Sequence, residues 1–263
     1  MKLSNGKKVI IIALLIYLFL PLLGTLIYSI STKWQATLLP NGLTLKWYEQ
    51  LFSDVRFVQA IQRSFLTSGL TCLLSLTVMI PTIFIMVVYY PKLEKVMKFV
   101  ITLPFAMPGI VLAVGLIKLY SGDILPLTGT IWILVGAYFV LIMPFMYQGI
   151  RNAMRTVEVK TLMEAASLLG ASDLKAFWYV IFPNLIKGVV VSTLLSFSML
   201  FGEFVLANIL AGGNYETIQV YLYTQKGSSG HFTSAIVISY FSFILLLSYV
   251  IIKIKKIVDP AGR

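Results

Sequence analysis

Six long apolar runs constrain this 263-residue chain more than any other feature. They cover about 9–31, 64–90, 99–117, 124–150, 188–215 and 232–252. Each is long enough to cross a bilayer, which takes about 20 mostly apolar residues. Strands of a membrane barrel span with roughly 10 residues of alternating polarity, a pattern these runs lack, so they predict helices. Composition agrees: 59% of residues are hydrophobic, 12% are charged, and the mean hydropathy is +0.91. Soluble domains run near about 45–50% apolar with about a quarter charged, so one soluble core has no room for this surplus. A water-soluble enzyme is excluded, and the chain predicts an all-α membrane protein with one transmembrane domain over 1–263.

The first run follows Lys2, Lys7 and Lys8 and ends at Ser29-Ile30-Ser31, which would suit a cleaved export signal. At 23 residues it exceeds the roughly 7–15 apolar residues of such a signal, so it reads as a retained helix. Six crossings put both termini on one side, together with 91–98 and 151–187. That side holds 15 of the 21 basic residues. Lys and Arg concentrate in cytoplasmic loops, so both termini are expected in the cytoplasm. The formal charge of +11 is therefore mostly a topology signal, and no stretch offers the basic folded module that nucleic acid needs. One cysteine, Cys72, and one histidine, His231, exclude a disulfide framework and His-based metal motifs.

Two connections are long. Residues 32–63 read as an external segment, part loop and part interfacial helix, with a turn at Asn41-Gly42. Residues 151–187 form the longest cytoplasmic connection. Within it, 157–169 reads as a helix with Glu158 in its first turn and Gly170 as its breaker. Ser172 can cap a second short helix whose Leu174, Phe177, Trp178 and Ile181 share one face, with Pro183 ending it. Such a pair suits either the lipid headgroups or the groove of a cytosolic partner.

Glu164-Ala165-Ala166, three residues, Gly170, nine residues and Val180-Ile181-Phe182-Pro183 follow one another ahead of the fifth run. This resembles the EAA loop, E-A-A-x3-G-x9-I-x-L-P, of permease subunits of type I binding-protein-dependent ABC importers. Val180 and Phe182 stand where that family has Ile and Leu. The resemblance implies that Glu164, Ala165, Ala166, Gly170, Ala171, Ser172, Leu174, Phe177 and Pro183 form an ATPase-coupling element. It also implies a cytosolic ABC ATPase dimer that binds ATP-Mg, a second permease subunit and an extracytoplasmic substrate-binding protein. No cofactor is expected in this chain, and no stretch fits the phosphate-cradling G-x-x-x-x-G-K-[ST].

The third run opens Leu103-Pro104-Phe105-Ala106-Met107-Pro108-Gly109. This resembles the same span in the subgroup of these permeases that moves polyamines, phosphonates, iron complexes and similar small solutes. Freed backbone groups are tolerated in a membrane only against protein or a wet cavity, so Pro104, Pro108 and Gly109 are candidates to line a path. A kinked packing helix is the alternative. Glu203 is the one formally charged residue within the six runs, and an ionisable group there is a candidate site by default. It can face a path, bond to a broken helix or a partner's cation, or reach the outer headgroups. Asp123, Tyr215 and Glu216 read as external contacts or solvated residues. Tyr28, Trp34, Tyr120, Trp132 and Tyr240 read as interface-belt aromatics, and His231 as a boundary residue. An ion-gradient-driven secondary transporter is the alternative class, though it would want coupled ionisable groups at the midplane and inverted repeats.

Overall fold

A computed structural model describes residues 5–35, 37, 39–122 and 125–258, in two compact units. Asp123, Ile124 and the ends of the chain lie outside the described residues. The first unit comprises Met1–Gln59 and Tyr221–Leu246, the second Ala60–Val220 and Leu247–Arg263.

In the first unit, α1 (Asn5–Ser29) is apolar on every side, and Ile10 to Leu20 are largely exposed, as suits a lipid-facing helix. The helix ends two residues before the predicted limit because Ser31 begins a hairpin. Strand β1 (Ser31–Lys33) pairs antiparallel with β2 (Asn41–Leu43), with Ser31 opposite Leu43 and Lys33 opposite Asn41. The predicted turn at Asn41-Gly42 is therefore strand, and Gly42 serves a local kink at φ +80° instead. Next come α2 (Lys46–Ser53), a helix within 32–63 as expected, and the start of α3 (Val55–Val88). Chain return supplies α11 (Ile218–Thr224) and most of α12 (Gly230–Val258). His231 stands in the first turn of α12, at the edge of the sixth run. It is 9% exposed, and its ring stacks on Tyr28 at 4.0 Å and on Trp47 at 5.5 Å between centroids.

The second unit holds the rest of α3, then α4 (Glu94–Thr102), α5 (Gly109–Tyr120), α6 (Ile131–Thr156) and α7 (Val159–Leu168). It continues with α8 (Asp173–Ala176), α9 (Phe182–Phe201) and α10 (Val205–Leu210). Its core is built on α6, where Leu134, Tyr138, Ile142, Met146, Ile150 and Met154 are 2% exposed or less. That four-residue spacing draws one stripe along a helix, and the stripe's flank packs on α9.

Among the described residues, four helices cross by length and composition: Ile10–Ser29, Val55–Val88, Ile131–Thr156 and Gly230–Val250. The third run, expected to be irregular at its prolines, is a bent pair of Pro91–Ala106 and Gly109–Tyr120, and the run predicted at 188–215 continues a bent pair that begins at Asp173 and stops at Phe201. In the third run, Leu103–Ala106 tightens to a 3₁₀ turn and Met107 is extended (φ −101°, ψ 134°), as the residue before a proline prefers. The chain turns by 96° there. In the fifth run, α9 ends at Phe201, and Gly202, Glu203 and Phe204 separate it from α10.

Residues 151–187 are also more helical than predicted. Helix α6 runs on to Thr156, and from Asp173 the chain is helical through to Phe201. Pro183 does not end that helix. It lacks an N–H for the carbonyl four residues back and would clash with it. Phe177–Ile181 relieves this as a π turn, with the Phe182 N–H reaching Phe177 O five residues back. The axis bends by 56° between Asp173–Ile186 and Gly188–Phe201.

Candidate functional site

The loop between α6 and α9 is ordered by its own backbone. Glu158 is not in the first turn of α7. It precedes the helix in a left-handed conformation (φ 53°, ψ 54°), rare outside glycine, while its carbonyl accepts the Leu162 N–H at 3.2 Å. Helix α7 buries Val159, Met163 and Ala166, spaced one helical face apart, and leaves Glu164 and Ala165 exposed. At its other end the Ala171 N–H reaches Ala166 O (3.0 Å) and the Gly170 N–H reaches Ser167 O (2.9 Å). These two bonds make a Schellman ending, with Gly170 at φ +78°. A Cβ on Gly170 would touch nothing within 4 Å, so backbone angle and not space demands glycine there.

Ser172 takes the N-cap position of α8 as predicted, but its hydroxyl makes no capping bond. The predicted common face of the second helix divides. Phe177 and Ile181 are buried, whereas Leu174 and Trp178 are exposed. Because the π turn is wider than an α turn, spacing that aligns these four on an ideal helix no longer does so. Leu168 and Leu169 are each 88% exposed, so a glycine-turned corner carries Leu168, Leu169, Leu174 and Trp178 outward. Ala171 is half-buried beneath it, and Pro183 is exposed.

The other predicted residues meet at the two broken runs. Helix α5 packs on α10, and a Cβ built on Gly109 would lie 3.8 Å from Val205 Cγ1. Pro108 and Gly109 are exposed beside the break, and Pro104 is half-buried. Across from them, the Glu203 carboxylate accepts the N–H of Leu206 on Oε1 (2.9 Å) and of Ala207 on Oε2 (3.1 Å). It thereby satisfies donors at the start of α10 that no helical carbonyl can reach. The buried Tyr138 of α6 lies against the same carboxylate, a neighbour 65 positions away that no local pattern announces. Of the three readings of Glu203, the broken-helix bond is the contact present.

Sequence reasoning missed a further feature of this unit. An open groove of about 480 Å³ lies between α6 and α9, lined by Phe145, Gln148, Ser192, Leu195, Ser196 and Met199 among others. Gln148, a neutral polar group in an apolar run, was the available signal.

These features define a multi-pass helical membrane protein whose third and fifth apolar runs are interrupted within one unit, the architecture of a solute permease. Residues 79–263 match the family of binding-protein-dependent transport system inner membrane components, and the chain belongs to that family. It is 26% identical over 251 residues to a putative 2-aminoethylphosphonate transport system permease protein, PhnV, of Salmonella paratyphi A, covering 95% of this chain and 92% of that one. It is 23% identical to the spermidine/putrescine transport system permease protein PotC of Escherichia coli K12, covering 81% and 79%. Among solved structures, a chain of a bacterial ABC transporter that imports the acidic polysaccharide alginate superposes with a TM-score of 0.75 at 18% identity. That match covers 96% of this chain and 99% of that one. The inward-facing MetNI methionine ABC transporter matches with a TM-score of 0.63 at 15% identity, over 76% and 95%. The chain is a permease subunit of an ATP-driven ABC importer.

Proposed function

We propose that this chain forms half of the solute path of its importer, pairing with a second permease subunit that is homologous or identical. Each bent pair counts as one span, giving six crossings with both termini and residues 157–181 in the cytoplasm. The exposed corner of Leu168, Leu169, Leu174 and Trp178 then docks into a cytosolic ABC ATPase dimer, helix in groove. Mg-ATP binds on that ATPase and not on this chain. Glu164 and Ala165 lie on the docking side of α7, and Ala166, Ala171 and Phe177 hold the corner from beneath. An extracytoplasmic binding protein delivers the solute, and closure of the ATPase dimer drives alternating access.

The paired breaks around Met107-Pro108-Gly109 and Gly202-Glu203 form the path's wall, since broken backbone at membrane depth belongs beside a wet cavity. The solute is small: a polyamine, a phosphonate, an iron complex or a similar compound. The phosphonate and polyamine relatives support this range. Glu203 takes no direct part in solute recognition in this reading, because its carboxylate already serves the break.

The observation that carries the proposal is the Gly170 turn, which projects four large apolar side chains from an ordered corner. Gly170→Val puts a β-branched residue at φ +78° and is expected to release the ATPase on co-purification while leaving membrane insertion unchanged. Glu164→Lys should weaken the same association. ATPase retained at native levels by both variants would overturn the docking assignment.

A further inference from the structure

The exposed corner has a second attachment to the bundle besides the helix that continues from it. Helix α3 ends at Val88, and the next residue, Tyr89, keeps the helical spacing through its N–H to Ile85 O (2.9 Å). The Tyr89 hydroxyl donates to Asp173 Oδ2 at 2.5 Å. Asp173 is the first residue of α8, directly after the Gly170-Ala171-Ser172 turn. One helical turn on, Phe177 packs on Phe84 of α3 with ring centroids 4.7 Å apart, and both rings are buried. Phe84 in turn meets the Tyr89 ring edge to face at 6.4 Å. The end of α3 therefore holds the corner at two points: a hydrogen bond to a carboxylate, the stronger and shorter kind, and an aromatic pair behind it.

The direct route from the corner into α9 is the more compliant one. It passes through the π turn at Phe177–Ile181 and then the 56° bend beyond Ile186. Departures from α-helical geometry are where long helices flex, so a push on the corner is partly absorbed along this route. Helix α3, 34 residues long, carries Pro81 about two turns before its end, but from there to Val88, the stretch that holds Asp173, it is α-helical with no π turn.

We infer that Tyr89 and Asp173 are a positioning pair that transmits movement of the ATPase-facing corner into α3. The inference rests on the proposed docking of that corner. The pair contacts neither solute nor nucleotide. It makes α8 and the end of α3 move as one body while α9 adjusts through its π turn.

The test uses the whole transporter, purified with its ATPase and second permease. Spin labels replace the exposed Tyr90 and Lys175 on either side of the pair, in a Cys72→Ser background. With the native pair, Mg-ATP and vanadate should leave the label-to-label distance unchanged. Tyr89→Phe keeps the ring against Phe84 and removes only the hydroxyl, so the fold and ATPase co-purification should persist. In that variant the same addition should shift or broaden the distance distribution. ATP hydrolysis linked to transport should fall about fivefold or more, the scale of an ordinary coupling free energy. Asp173→Asn, which keeps an acceptor oxygen, should recover most of the native behaviour. A distance that changes with the native pair in place, or Tyr89→Phe indistinguishable from native, overturns the inference. Failure of the docking reading is seen separately, as a Glu164→Lys transporter that still retains its ATPase.

Discussion

A Cβ on Gly149 of α6 would lie 2.1 Å from the Cβ of Ser192 on α9, so the two helices touch where one residue has no side chain. One turn along, the roles reverse: a Cβ on Gly188 of α9 would lie 2.5 Å from Ala153 Cβ on α6. Gly149 and Ala153 on one helix thus face Gly188 and Ser192 on the antiparallel other, each pair four residues apart. Small residues at this spacing let helices approach closely in a bilayer, where packing rather than the hydrophobic effect holds them together.

Replacing Gly149 with Ala should therefore force the helices apart and cost about 1–3 kcal/mol, the range for overpacking a filled interface. Ser192→Gly should relieve much of that loss, since it removes the atoms that the new Cβ meets. Ser192→Ala should be mild on its own, because its hydroxyl bonds to Gly188 O (3.2 Å) and Val189 O (3.0 Å) of its own helix. Thermal unfolding of the detergent-purified chain measures all three, and no rescue in the double variant would show that the contact is not limiting.

At the broken fifth run, Glu203→Gln keeps one acceptor oxygen but turns an amide donor toward a backbone N–H that already needs an acceptor. The expected loss is about 1–3 kcal/mol, as for a buried group left unsatisfied. Tyr138→Phe should cost about 1 kcal/mol, and the two changes should not add, because both act on one carboxylate. A Glu203→Gln protein that melts like the native one yet loses uptake would move Glu203 from holding the break to contacting solute.

Glu94 ties two helices together through unequal partners. Arg151 of α6 approaches it with Nε at 3.3 Å and Nη2 at 3.2 Å, one nitrogen to each carboxylate oxygen. Lys98, one turn along α4, lies 2.9 Å away on a side chain that is 60% exposed. The exposed pair is worth about 0.3–0.5 kcal/mol. The forked Arg151 contact joins separate helices and should be worth about 1 kcal/mol or more. Thermal melts of Arg151→Met and Lys98→Met should rank in that order, and the reverse order would make the interhelical contact incidental.

Apolar run length is a local property, which is why the four unbroken crossings were readable from composition over a window of residues. Prolines 104 and 108 marked irregularity in the third run, but its 96° turn depends on how α5 then packs against α10. In the fifth run, the sequence left Glu203 with three readings, one of them a bond to a broken helix, and nothing local chose among them. The same carboxylate is a cap once the helix is known to stop at Phe201, and only tertiary structure shows that. Pro183 misled in the opposite direction, because a proline ends a helix unless the preceding turn widens, as it does here. Gly170 was legible in full, since a glycine four residues beyond a Glu-Ala-Ala run needs only its own φ to act as a stop.

The histidine of the first unit gives the last expectation. His231 bonds through Nδ1 to Tyr28 O at 2.8 Å, and its ring is stacked on both Tyr28 and Trp47. Trp47 in turn donates from Nε1 to Ser31 O (2.9 Å), at the start of the β1–β2 hairpin. The neighbouring Gly230 is confined as well, since a Cβ there would sit 3.0 Å from Tyr28 Cε1. One ring therefore fixes the end of α1 and the base of the hairpin to the start of α12. His231→Ala removes both stacking contacts and leaves the Tyr28 carbonyl without its partner, an expected loss of about 1–3 kcal/mol. His231→Phe restores the stack but not the bond and should recover part of it. Because the hairpin is small, the loss should appear locally before it appears in global unfolding. Hydrogen exchange at the Thr44 N–H, which bonds to Ile30 O at 2.7 Å, should quicken in His231→Ala and less so in His231→Phe. Equal exchange in all three proteins would mean that the hairpin is held by its own strands and not by the histidine.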